Sequence, residues 1–154
     1  MISELNKLSN REMELMLKAP ILACILIAGA DGQIDRKEIK GAIEVARKKQ
    51  KKSQANLLEF YSLVGEDFED KLKVVIQSYP MSASERNPMI VEELSQLNTI
   101  LPKLDKSFAV GFYKSCKDIA LAIAESSGGL LGMNRIGEEE AKFIGLSMIK
   151  DPAL

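Results

Sequence analysis

The residues with the clearest chemical potential are three carboxylates near a glycine-containing turn between two apolar stretches. Asp31, Asp35 and Glu38 lie within eight positions of one another, and carboxylate oxygens are ligands that Ca²⁺ and Mg²⁺ prefer. Aligned with an EF-hand loop, the three side chains fall on positions 5, 9 and 12. Positions 1 and 3 are Ile27 and Gly29, which have no side-chain oxygen. The turn therefore offers a partial set of ligands for a hard cation.

Two of these carboxylates also have the spacing of a helix capping box. Asp35 precedes a helical pattern, and Glu38 follows three residues later, so each side chain can bond the other residue's backbone N–H. Loss of such a cap costs about 1 kcal/mol. This alternative requires no ligand and remains open beside the metal-site hypothesis.

A second acidic group follows a glycine-bearing loop about a hundred residues later. Glu138, Glu139 and Glu140 precede the last apolar stretch, as Asp35 and Glu38 precede an earlier one. If the fold brings the two turns together, their carboxylates can share one ion. If the turns lie apart, any site is open and water-rich, with an affinity of order 0.1–1 mM or weaker.

Other reactive groups are scarce. The chain has no His, which removes the commonest general base and the commonest transition-metal ligand. Cys24 and Cys116 both lie in apolar helical patterns, which favours two small core residues. The alternative, a thiol pair that senses soft oxyanions, requires an exposed thiolate of lowered pKa. We expect no enzyme activity and no organic cofactor.

Length and composition predict one globular domain over residues 1–154. The sequence is 46% hydrophobic and has a formal net charge of −1, which argues against a chain-wide nucleic-acid-binding field. No signal-peptide pattern opens the chain, and its longest apolar stretch is far shorter than a membrane span. These features predict a cytoplasmic protein that does not insert into a membrane.

Apolar spacing predicts an all-α fold of about six to eight helices. Pro20 is expected in the first turn of a central helix, and residues 67–78 in an amphipathic helix. Pro102 is expected to open or kink a long helix that continues to Ile123. Residues 137–150 are expected to form the last helix.

The two glycine-containing acidic turns resemble the signature motifs of the TerB-like family. Residues 30–39 and their preceding apolar helix resemble the first motif. Residues 124–132 together with residues 136–140 resemble the second. The order and separation of the motifs also resemble that family, over residues 10–150.

This resemblance implies a helical domain with two helix–loop–helix motifs close together. It implies a cytoplasmic, non-enzymatic protein of tellurite resistance or a related stress response, which interacts with other proteins of a stress-response complex. It also implies a weak Ca²⁺ or Mg²⁺ site, formed here by Asp31, Asp35, Glu38, Glu139 and Glu140. The alternative is a purely structural adaptor whose acidic loops are helix caps and bind no metal.

Overall fold

The computed structural model describes residues 5–28, 36–49, 55–128 and 143–154; the first three ranges are mainly helical, and no strand occurs in any of the four. The helices are α1 (Asn10–Ala28), α2 (Arg36–Lys49), α3 (Ala55–Gly65), α4 (Phe68–Gln77), α5 (Ala83–Ser95), α6 (Leu97–Ile100) and α7 (Lys106–Gly128). Short 3-10 segments span Leu5–Lys7 and Leu101–Lys103. The all-α class is therefore confirmed.

The central helix α1 begins well before the proline that was expected to open it. A capping box starts the helix: Glu12 N–H donates to Ser9 Oγ at 3.2 Å, and Ser9 N–H donates to Glu12 Oε1 at 2.9 Å. Pro20 lies inside the helix and has no N–H to donate to the preceding turn. Buried residues on both sides of Pro20 offset this loss. The expectation that Pro20 opens the helix is wrong.

The hydrophobic core lies around α1 and α7, which pack against each other and against α2 and α3. Every residue from 21 to 27 is buried, as expected for a helix that is apolar nearly all round. An aromatic cluster joins α3 to α7, with Phe60 at its centre. The Phe60 ring lies 5.2 Å from Tyr61, 6.2 Å from Phe108 and 5.5 Å from Phe112, each in an edge-to-face arrangement.

The predicted bounds of α4 agree with the structure, whereas the predicted role of Pro102 does not. Helix α4 has Asp67 and Ser78 as its flanking cap residues, in agreement with the prediction for residues 67–78. Pro102, by contrast, lies in the 3-10 segment before α7 and neither opens nor kinks the long helix. The backbone extends at Leu104 before α7 begins at Lys106.

The last described segment is not helical, which corrects part of the prediction for residues 137–150. Residues 143–149 form turns in which Leu146 N–H donates to Phe143 O and Ile149 N–H donates to Leu146 O. Leu146 has a φ of 46°, a left-handed conformation that costs a non-glycine residue about 1–2 kcal/mol. Leu146 and Ile149 are both buried, and this burial offsets the strain.

Asn98 of α6 holds this segment against the helices with both ends of its amide. Its Nδ2 donates to Met148 O at 3.0 Å, and its Oδ1 accepts from Lys150 N–H at 2.7 Å. These are contacts between residues far apart in sequence, which local helical patterning does not anticipate. They fix the position of Met148 and Lys150 relative to α6.

We expect Asn98→Ala to lower the free energy of unfolding by about 2 kcal/mol, because two hydrogen bonds of about 1 kcal/mol each are lost. Limited proteolysis should also cut between residues 143 and 154 faster than in the parent protein. Asn56→Ala, at an exposed position of α3, is the control and should change stability by less than about 0.5 kcal/mol. Equal effects of the two substitutions would show that Asn98 does not anchor the segment.

Candidate functional site

The predicted cation ligands fall outside the part of the protein whose side chains are described. Asp31, Asp35, Glu139 and Glu140 lie in segments outside the described residues, and Glu38 lies in α2 with its side chain outside the description. What the structure does describe is the set of helices to which these segments are joined. The geometry of α1 and α7 therefore bears on whether the two acidic turns can meet.

Helices α1 and α7 start at the same end of the bundle. Lys103 Nζ, just before α7, lies 2.5 Å from Glu12 Oε2 in the first turn of α1. Lys7 Nζ, just before α1, lies 3.5 Å from Asp105 Oδ1. The hydrogen bonds from Lys103 and from Ser9 lower the pKa of the Glu12 carboxyl. Two independent ion pairs thus tie the beginnings of the two helices together.

Further along the two helices, Cys24 and Cys116 are near enough to affect each other electrostatically. Cys24 of α1 and Cys116 of α7 are both buried, and each helps to raise the pKa of Tyr61 of α3. Tyr61 in turn shares a hydrogen bond of 2.5 Å with Ser115 of α7. Since α1 and α7 are close both at their starts and at these cysteines, the two helices run in the same direction.

The two helices consequently end toward the same end of the bundle. At 1.5 Å per residue, Ala28 lies about 6 Å beyond Cys24, and Gly128 lies about 18 Å beyond Cys116. Residues 29–35 and 129–142, which contain the acidic residues other than Glu38, follow these two helix ends in the sequence.

Cys24 and Cys116 are both buried, and this burial distinguishes between a pair of core thiols and a pair that senses oxyanions. Burial raises the pKa of the Cys24 thiol well above its ordinary value, with a further contribution from Cys116. Burial also raises the pKa of Cys116 from 9.0 to about 12, partly opposed by a hydrogen bond with Tyr61. Both groups are therefore protonated core thiols at neutral pH, and the exposed thiolate required for soft-oxyanion sensing is not present in this fold.

A surface groove between α1 and α4 was not anticipated from the sequence. Leu17, Ile21, Val74 and Val75 line it, and it encloses about 440 Å³. Val74 is 62% exposed although its neighbour Val75 is buried. The sequence contains a weak sign of this groove, because Val74 is an apolar residue on the face of α4 that otherwise carries charged groups.

Two further findings concern possible ligands and membranes. Within the described ranges, no group of three or more Cys, Asp or Glu side chains is arranged to hold a metal ion. None of the described helices has the combination of length and apolar character that crossing a membrane requires.

The regular structure of the described residues is helical, which defines a protein of the all-α class. Comparison with protein families, with curated proteins and with solved structures finds no match for the chain. The TerB-like resemblance therefore remains a prediction from the two sequence motifs.

Proposed function

We propose that this protein is a TerB-like, non-enzymatic interaction module with a weak divalent-cation site between its two acidic turns. The observation that carries the proposal is the parallel arrangement of α1 and α7. Two helices that start together and run in the same direction also end toward the same end of the bundle, which supports the proposal that the segments following them meet. The motifs separated by about a hundred residues in sequence are joined to those segments.

The proposed site requires ligands from both turns. Ca²⁺ takes six to eight oxygens, and the first turn supplies only Asp31, Asp35 and Glu38 besides its backbone carbonyls. Glu139 and Glu140 add two carboxylates, and water completes the shell. Mg²⁺ retains most of its waters and is the other candidate occupant of such a sparse site. The cation would hold the two turns together and so order the surface that they form.

The proposed cellular role follows from the same resemblance. We place the protein in the cytoplasm, in tellurite resistance or a related stress response, as a partner of other proteins in a stress-response complex. Its net charge of −1 gives no general attraction to nucleic acid. Direct membrane insertion is not part of the proposal.

A calcium titration followed by amide NMR shifts tests the site. Up to roughly 10 mM Ca²⁺, the amides of residues 31–38 and 136–140 should shift together with one dissociation constant of order 0.1–1 mM. Asp35→Asn and Glu140→Gln should each weaken binding by roughly tenfold or more, because each removes a charged ligand. Glu85→Gln, at an exposed position of α5, is the charge-matched control and should leave binding unchanged.

Two results of the titration would exclude a cation site shared by the two turns. If only one of the two turns shifts, or if neither shifts at about 10 mM Ca²⁺, the two acidic groups do not hold one ion. If Glu140→Gln and Glu85→Gln weaken binding equally, the effect of calcium is one of general charge.

A purely structural adaptor is the second candidate, and the start of α1 favours it. The Ser9–Glu12 capping box shows that this chain uses the same three-residue spacing to begin a helix without any ligand. Asp35 and Glu38 have that spacing at the start of α2. On this hypothesis Asp35→Ala lowers the free energy of unfolding by about 1 kcal/mol, equally with and without calcium. A calcium-dependent difference would exclude it.

A further inference from the structure

The groove between α1 and α4 has an apolar floor that lies open to solvent. Ile21 and Val75 are buried at its base, Leu17 is half-buried, and Val74 is 62% exposed on its wall. Val74 therefore leaves apolar surface exposed to solvent above the buried pair Ile21 and Val75. Grooves of this kind bind amphipathic helices, whose apolar residues recur at i, i+3 or i+4, and i+7.

One of the two lysines at the rim of the groove is neutralised within the protein. Lys18 Nζ lies 2.8 Å from Glu93 Oε1, and Tyr79 donates its hydroxyl proton to the other oxygen of that carboxylate. Lys18 also lies over the Tyr79 ring, 5.9 Å from its centroid. These contacts hold the Lys18 charge toward α5 and away from the groove.

The other charged groups at the rim are two carboxylates and one lysine, so that carboxylates predominate. Lys71 Nζ donates to Leu63 O at 2.6 Å, which directs it toward the end of α3. The remaining two rim groups are Glu14 and Asp70, which stand on opposite walls and are exposed. Neither carboxylate takes part in an ion pair within the described part of the chain. Two exposed carboxylates therefore flank an apolar floor.

We propose that this groove binds an amphipathic helix of a partner protein that carries Lys or Arg beside its apolar face. The apolar residues would cover Leu17, Ile21 and Val74, and the basic residues would pair with Glu14 and Asp70. A second copy of the chain fits less well, because a twofold contact through this face brings the same acidic rims together. An anionic membrane surface is repelled by the same two carboxylates.

This inference rests on the proposed role as an interaction module but not on the cation site. The test is therefore done in EDTA, so that failure of the groove and failure of the metal proposal give different results. The probe is a synthetic amphipathic helix with leucines at the a and d positions of each heptad and lysines at e and g. A second peptide has glutamates in place of the lysines and is otherwise identical.

The lysine peptide should shift the amides of Leu17, Ile21, Val74 and Val75 and bind at least about tenfold more tightly than the glutamate peptide at low salt. The difference should shrink as salt screens the charges. The double substitution Glu14→Gln with Asp70→Asn should bring the two affinities close to parity. These results would support a groove selective for basic amphipathic helices.

Matched valines provide the control for the apolar contact. Val74→Arg should abolish binding of the lysine peptide, whereas Val45→Arg, at a residue of α2 that is 47% exposed, should not. The proposal is overturned if both peptides bind equally or if the two arginine substitutions have the same effect. It is also overturned if Val74→Arg abolishes self-association in sedimentation, or binding to anionic vesicles, while peptide binding is absent.

Discussion

Replacing Phe60 with alanine is expected to lower the free energy of unfolding by about 4 kcal/mol. Phe60 is fully buried and meets Tyr61, Phe108 and Phe112 edge to face. Truncation removes the transfer free energy of the ring, leaves a cavity, and takes away three aromatic contacts at once. The cavity would open between α3 and α7. Urea unfolding followed by circular dichroism measures the change as a shift in midpoint at constant slope.

Two comparisons make this prediction specific to the aromatic cluster. Phe60→Leu should cost only about 1–2 kcal/mol, because leucine refills much of the space. Val74→Ala, at a residue 62% exposed on α4, should stay within about 0.5 kcal/mol of the parent. A Phe60→Ala protein as stable as Val74→Ala would mean that Phe60 is not at the centre of the core.

In the native protein, we expect neither cysteine to react with an aromatic disulfide reagent on the timescale of seconds. Cys24 and Cys116 are 0% and 1% exposed. The rise in the pKa of Cys116 from 9.0 to about 12 lowers its thiolate population by about 10³-fold near neutral pH. Both thiols should react rapidly once urea unfolds the chain. In water, the rate should rise with reagent concentration toward a limit set by the opening of the fold.

The same thiols predict a loss of stability in alkali. Folded-state pKa values above 9.0 mean that the unfolded chain releases these protons first. The stabilisation is fully present below about pH 9 and decreases as the pH rises toward about 12. Burial also raises the pKa of Tyr61, which likewise stabilises the folded protein below alkaline pH.

A native thiol that reacts within seconds at neutral pH would contradict the burial of Cys24 and Cys116 and restore the oxyanion-sensing hypothesis.

Helix patterning was a good guide where burial on one face decided the structure. Ile39, Ala42, Ile43 and Ala46 have the i, i+3, i+4, i+7 spacing of one helix face, and all four are buried in α2. Pro20 and Pro102 were poorer guides to where helices begin. Pro20 was expected to open a helix because proline suits a first turn, but the Ser9–Glu12 capping box and the buried residues beyond it extend α1 through the proline.

One candidate site could be recognised from the sequence, and the other could not. The acidic turns were identified from residue types alone, since carboxylates near glycines are visible in the sequence. The groove between α1 and α4 was not, because it exists only where Leu17 and Val74, far apart in sequence, line one surface. Its acidic character depends in addition on where Lys18 and Lys71 direct their charges.

The sequence by itself determined the helical class, the apolar centre at residues 21–27 and the restricted chemistry of a chain without His. These properties depend on composition and on short-range periodicity. Only the tertiary structure decided that α1 and α7 run parallel, that Cys24 and Cys116 are closed to solvent, and that the segment around Leu146 forms turns. Each of these depends on contacts between distant residues, such as Glu12 with Lys103 and Asn98 with Lys150. The physical reason is that such contacts add burial and hydrogen bonds that outweigh the local preference of the chain.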